Sequence, residues 1–189
     1  MLKVYLIRHS ITEGNIHNRY IGTTDEPLCD KGRDLLKNID YPKVQKLIVS
    51  PLLRCVETAG ILYNNMPYKI SEGMRECDFG DFENKNYKEL DGNEDYQKWI
   101  DSNGTLPFPN GESHEEFKER CIKAFIEEID TAFIEKVESI AMVVHGGTIM
   151  SIMQYLTKEN DFYKYHVKNA EGFSFLIDTH KKIKELTKL

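Results

Sequence analysis

The sequence predicts an α/β protein built on a mainly parallel sheet, and two observations carry that prediction. Residues 2–7, 46–49 and 140–144 are short, nearly continuous apolar runs, the pattern of parallel strands covered on both faces. Between them lie segments whose apolar residues recur at helical spacing and which open on recognisable helix-start signals.

The first strand is followed at once by Arg8 and His9. Residues 10–30 lose periodicity and collect Thr, Asn, Gly, Asp and Pro, which predicts a long irregular loop, and long loops at strand ends are commonly functional. Asp30 is expected to cap a helix reaching about residue 39, with Leu35, Leu36 and Ile39 inward. After the second strand, Ser50 reads as a helix N-cap and Pro51 as the first helical residue. That helix should run to about Tyr63, bury Leu52, Leu53, Val56, Ala59 and Leu62, end at Asn64-Asn65, and carry Arg54 in its first turn. A weaker strand over residues 68–71 leads through Met74, Arg75 and Glu76 into an aromatic, acidic stretch, about residues 77–112. Its weak periodicity predicts a lid of short helices and loops with Phe79, Phe82, Tyr87, Tyr96, Trp99 and Phe108 as lid core.

Ser113 and Glu116 are spaced as a capping box opening a long helix striped by Phe117, Cys121, Ala124, Phe125, Ile129 and Ala132. His145-Gly146-Gly147 stands directly after the third strand, and a helix is expected from Thr148 with Ile149, Ile152, Met153 and Leu156 inward. Residues 172–177 predict a further strand and residues 181–189 an edge strand.

A chain of 189 residues is expected to form a single domain, 1–189, with the lid as an insertion. Charged residues at 30% and hydrophobic residues at 40% exclude a disordered or fibrous class. A net charge of -6 argues against general nucleic-acid affinity, so any anion site must be a local concentration of cations. The longest apolar run is too short for a membrane span and the opening lacks the features of a signal peptide, so a cytoplasmic location is expected. Cys29, Cys55, Cys77 and Cys121 lack paired spacing and read as reduced, packed thiols; His17, His114, His166 and His180 lack ligand spacing and read as surface residues.

Each of the three apolar strands ends in a group suited to phosphate: Arg8-His9, Ser50-Pro51 with Arg54, and His145-Gly146-Gly147. In a parallel sheet these ends lie along one edge, so the groups converge. Two guanidiniums can hold phosphate oxygens in forked geometry, and two glycines let backbone N–H groups at a helix start approach an anion. Glu76 is the best-placed carboxylate to protonate a leaving alcohol, ahead of Glu13, Asp78, Asp81 and Glu83, and burial must raise its pKa for that task. A metal site of His9, His145 and Glu76 is disfavoured because two arginines alongside repel a cation. Neither metal nor cofactor is expected.

The wording RHSITEGN at 8–15, SPLLRCVETA at 50–59, RECDFGDFEN at 75–84, PNGES at 109–113 and VVHGGTIM at 143–150, in this order, resembles the histidine phosphatase superfamily. The resemblance covers most of the chain. It implies a three-layer, phosphoglycerate mutase-like sandwich with a small lid insertion. It also implies that His9 is phosphorylated, that Arg8, Arg54 and His145 hold the phosphate, and that Glu76 is the proton donor. Asn15 and Gly22 match pocket-lining positions, and the Gly146 backbone a further phosphate contact. Asn169-Ala170 resembles a family feature and equally suits a turn.

Three departures stand out: Ser10 where the family carries Gly, Ile11 in place of an acidic or amide residue, and Asn84 in place of Gly. A Cβ at Ser10 either strains the backbone beside His9 or brings a hydroxyl to the phosphate.

The implied function is phosphomonoester hydrolysis through a phosphohistidine. The short chain and its FGDFEN and HGGTIM wording are most similar to α-ribazole-5'-phosphate phosphatases of cobalamin biosynthesis. Rival readings are a broad-specificity sugar-phosphate phosphatase, a phosphoglycerate mutase, and a catalytically silent phospho-ligand binding module; the last could dispense with His9 or Glu76, yet both are retained. The expected partner is a small phosphorylated metabolite, with neither nucleic acid nor membrane, and with a homodimer left open.

Overall fold

The computed structural model describes residues 1–64 and 66–189. Asn65, expected to help end the second predicted helix, lies outside the described residues. Six strands form one sheet: β1 (Leu2–Arg8), β2 (Lys46–Val49), β3 (Lys69–Ile70), β4 (Ser139–Val144), β5 (Gly172–Ile177) and β6 (Ile183–Lys188), in spatial order β3-β2-β4-β1-β5-β6. β1 to β4 pair in parallel and β5 and β6 add antiparallel, so the sheet is mixed with a parallel majority. Among the described residues six α-helices accompany it: α1 (Glu13–Ile16), α2 (Asp30–Leu36), α3 (Leu53–Leu62), α4 (Glu94–Asp101), α5 (His114–Ile134) and α6 (Gly146–Thr157).

Strand alternation explains the continuous apolar runs. Leu2, Val4 and Leu6 of β1 join Ile140, Met142 and Val144 of β4 in a core packed under α5 and α6 through Phe125, Ile129, Ile149 and Met153. Tyr5 and Ile7 point the other way, with Ala141, Val143, Leu47 and Val49, onto Cys55 and Ala59 of α3. The sheet is therefore the middle of three layers. Each fully buried side chain such as Phe125 contributes about 1.5–3 kcal/mol through removal from water.

Several helix boundaries differ from the sequence reading, each for a local reason. Ser50 does not cap α3; Leu52 takes the N-cap position with no side-chain bond, and the Ser50 hydroxyl is committed elsewhere. The later start turns Arg54, Cys55, Thr58 and Ala59 inward and leaves Leu53 at 38% exposure. Cys29, not Asp30, precedes the first residue of α2, and this seven-residue helix buries Gly32 and Leu36 one turn apart while Leu35 faces solvent and Ile39 lies beyond its end. α6 begins at Gly146, two residues before Thr148, because His145 is extended and already acts as N-cap. Within the 10–30 loop, Thr12 and Asn15 form a reciprocal capping box around the one-turn α1. The capping box of Ser113 and Glu116 forms as expected and opens α5.

Residues 77–112 carry α4 and a short 3-10 turn, Gly80–Phe82, and fold around Phe82, Leu90, Tyr96 and Phe108, seated on Phe117 and Cys121 of α5. Asn84 adopts φ 55°, the left-handed conformation that Asn tolerates better than other side-chain-bearing residues, so its replacement of Gly keeps the turn. Among the described residues no helix is long and apolar enough to cross a membrane.

Candidate active site

β1 and β4 are neighbours in register, Arg8 opposite Val144, so the residues just past their carboxyl ends, His9 and His145, emerge side by side. Their ring centroids are 5.2 Å apart, edge to face. β2 runs beside β4 and sends Ser50 and then Arg54 to the same edge. The three strand ends thus meet as parallel geometry requires.

The hydrogen bonds define the imidazole tautomers. His9 Nδ1 lies 2.7 Å from the Ser10 carbonyl, which only accepts, so Nδ1 carries the proton and Nε2 presents a lone pair. Arg54 Nε donates to His145 Nδ1 at 3.3 Å, which places the His145 proton on Nε2, donated to Ser50 Oγ at 2.7 Å. Burial drives both imidazoles far below their ordinary range, with the positive charge of Arg54 adding to the effect. Both are neutral bases in the resting site.

Arg54 is fully buried and heavily engaged. Nη1 donates to Thr24 O at 2.8 Å and Nη2 to Gly22 O at 2.8 Å and Ile21 O at 3.4 Å. Of the five guanidinium N–H groups one Nη1–H is left, so Arg54 offers an anion its charge and one donor, not a fork. Arg8 differs: Nη1 donates to Val167 O at 2.7 Å, while Nε is buried without a partner. That orphan donor lies beside Gly146, where a Cβ would stand 3.5 Å from it.

Glu76 closes the arrangement from the other side. Its carboxylate accepts from Gly147 N at 3.0 Å and from Cys77 N at 3.0 Å. Burial raises its pKa, outweighing the two N–H groups that pull it down. Gly147 is the one residue that fits here, because a Cβ would fall 2.4 Å from Glu76 Oε1. Arg8, Glu76, Gly146 and Gly147 line a cavity of about 760 Å³ together with Tyr20, Phe79, Trp99 and Phe108; His9, 4% exposed, Arg54 and His145 are buried and are not part of its lining.

Other expected positions fall differently. Asn15 lines a neighbouring cavity beside Arg8, and its side chain is used by α1 and by Asn169 Nδ2, 2.9 Å away. Gly22 sits behind Arg54, holding it through its carbonyl, rather than on the wall of the main cavity. Ser10 is absent from the residues at positive φ and its hydroxyl donates to Gly32 O at 2.8 Å, so it neither strains the backbone nor points to the anion. His114, expected at the surface, is half-buried and lines the main cavity; His166 is exposed as expected, at the cavity's edge. Among the weaker acids, Glu13 faces solvent beside His17, Asp78 accepts from Gly80 N, Asp81 pairs with Asn110, and Glu83 gathers the N–H groups of Gly22, Thr23 and Thr24.

Three supporting residues escaped the sequence reading or were given another role by it. Ser50 orients His145; Thr58 accepts from Ser10 N at 3.0 Å; Asn169 donates to the carbonyls of His9 and Ser10 at 3.2 Å each. A hydroxyl at the end of a strand bordering a His-ended strand is the signal that points to Ser50.

Buried neutral imidazoles, an unpaired guanidinium donor and a carboxyl with a raised pKa at one sheet edge define an enzyme of phosphoryl chemistry. Residues 4–187 match the histidine phosphatase superfamily (branch 1), and the chain belongs to that family of phosphatases. It is 31% identical over 169 residues to a 2,3-bisphosphoglycerate-dependent phosphoglycerate mutase of Rhizobium etli, covering 82% of this chain and 79% of the relative. It is 26% identical over 186 residues to the adenosylcobalamin/alpha-ribazole phosphatase of Salmonella typhimurium, covering 94% and 90%. The crystal structure of the alpha-ribazole phosphatase from Shigella flexneri shares the fold, with TM-score 0.79, 23% identity and coverage of 97% and 94%.

Proposed function

We propose that this phosphatase hydrolyses a phosphomonoester in two steps through a phosphohistidine on His9, and that its substrate is α-ribazole 5'-phosphate. Two observations carry the reaction: the His9 tautomer leaves a lone pair on Nε2, and the neighbouring residue Arg8 has a buried, unpartnered Nε. A buried donor left without a partner costs about 1–3 kcal/mol, which an incoming phosphate oxygen recovers.

In the first step Nε2 attacks phosphorus, the P–O bond to the alcohol breaks, and Glu76 gives its proton to the departing oxygen. Arg8, the remaining Nη1–H and charge of Arg54, and the α6 amino terminus stabilise the charge on the equatorial oxygens, while His145, held by Ser50 and Arg54, fixes the Arg54 guanidinium beside them. In the second step Glu76, now a carboxylate, takes a proton from water as that water attacks phosphorus; the P–N bond breaks and Nε2 recovers its lone pair.

The substrate reading is supported by the roomy cavity, whose aromatic wall suits a ribose and a fused ring better than a three-carbon acid, and by the named activity of the Salmonella relative. Rapid quenching should trap an acid-labile, base-stable phosphoryl group on His9, lost in H9A. Its absence during turnover would discard the covalent mechanism. Comparing kcat/KM for α-ribazole 5'-phosphate with that for simple sugar phosphates decides the substrate, and equal values would discard it.

A further inference from the structure

The position of the acid sets the side on which the alcohol leaves. Glu76 is held against Gly147, and a Cβ at Gly147 would stand 3.1 Å from the Phe117 ring, so Phe117 borders the acid. His114 precedes Phe117 by three residues on α5, which puts the two side chains on one helix face with Cβ atoms roughly 5–6 Å apart. Both line the main cavity. An alcohol whose oxygen meets Glu76 therefore has the His114 imidazole within the same cavity.

His114 is half-buried and its ring packs edge to face on Phe162, centroids 4.4 Å apart, which steadies the imidazole. Burial and the Lys118 charge lower its pKa, opposed by Glu115, and no hydrogen bond contributes. In this it differs from His9 and His145, whose rings are bonded to Ser10, Ser50 and Arg54. A neutral imidazole offers one donor and one acceptor.

We infer that His114, buttressed by Phe162, is a specificity-determining residue that hydrogen-bonds the edge of a flat heteroaromatic group carried by the leaving alcohol. The inference rests on the phosphatase reading with a nucleoside-like phosphomonoester and adds to it the residue that selects that class. Phe162 supplies an apolar face beside His114, and His114 supplies the polar edge that tells a flat heteroaromatic group from a plain aryl or alkyl chain.

The test uses the full chain with α-ribazole 5'-phosphate, adenosine 5'-monophosphate and glycerol 2-phosphate. H114A should raise KM for the better nucleoside-type ester about tenfold more than for glycerol 2-phosphate, with kcat within about a factor of two, the scale of one lost hydrogen bond. H114Q, which keeps a donor and an acceptor, should restore most of that selectivity, and F162A should fall between. An equal loss for all esters would make His114 part of the acid's scaffold and overturn the inference. Turnover with unchanged selectivity in H114A would overturn it alone. Failure of the wild-type chain to hydrolyse any of the esters would remove the phosphatase reading and the inference together.

Discussion

Ser50 Oγ and His145 Nε2 stand 2.7 Å apart at the floor of the sheet edge, so a hydroxyl placed to cap a helix instead holds an imidazole. With Arg54 Nε on the opposite ring nitrogen, His145 has one tautomer and one orientation. Replacing Ser50 by Ala leaves a buried N–H unpaired. S50A should lose about 1–3 kcal/mol in chemical denaturation and about tenfold in kcat/KM. Wild-type kinetics in a correctly folded S50A would show that the hydroxyl does not set the imidazole.

The raised pKa of Glu76 comes from burial and suits an acid. E76Q should lower kcat for alkyl phosphates by about 10²–10⁴-fold. Formation of phosphoenzyme from p-nitrophenyl phosphate should suffer far less, because p-nitrophenolate leaves without a proton. Single-turnover measurements on both esters make the comparison. Equal losses would take the proton-donor role away from Glu76.

Stability should depend on pH in a direction set by the two buried imidazoles. Free imidazole titrates near 6.5, and burial holds His9 and His145 well below that in the native state. Below about pH 6.5 the unfolded chain takes up protons that the native chain refuses, so stability is full above that pH and falls as pH drops. The slope is up to about 1.4 kcal/mol per pH unit for each histidine. Glu76 works in the opposite sense: with its native pKa raised, its contribution is present below the ordinary carboxylate range and is lost as pH rises through the native value. Urea melts from pH 7 to 5 should therefore show declining stability, and millimolar phosphate should oppose the decline by binding the native site. A flat profile would contradict the neutral resting imidazoles.

Gly147 has no room for a methyl group, since one would lie 2.4 Å from Glu76 Oε1 and 3.1 Å from the Phe117 ring. G147A should displace the carboxylate and cost kcat about 10²-fold or more, since even an ångström of misplacement is expensive. Gly146 has ordinary space around it, its Cβ position 3.5 Å from Arg8, so G146A should fold normally and weaken phosphate binding more than it alters the acid. Inhibition constants for orthovanadate separate the two effects.

Apolar runs and punctuation were enough to read β1, β2, β4, β5 and the long α5, because burial on both faces and a capping box leave local marks. The start of α3 was not legible: Ser50-Pro51 satisfies every local rule for a helix start, and only the neighbouring strand reveals that His145 takes the hydroxyl. Leu35 and Leu53 mislead for a related reason, since a shift of one or two residues in a short helix rotates its buried stripe past a leucine. The strand-end groups were legible as a set because topology brings them together. Asn169 and Thr58 are remote in sequence and act through backbone carbonyls or amides, which leave no pattern in composition.

The clamp on His9 is drawn from the far end of the polypeptide. Ala170 N donates to Arg8 O at 3.1 Å, Arg8 N to Glu171 O at 2.9 Å, and Asn169 reaches the His9 carbonyl across some 160 positions. A nascent chain on the ribosome can thus complete β1 and still leave His9 unpinned until residues 169–171 have emerged. Chains terminated before residue 169 lack this clamp entirely, whatever part of the sheet they form.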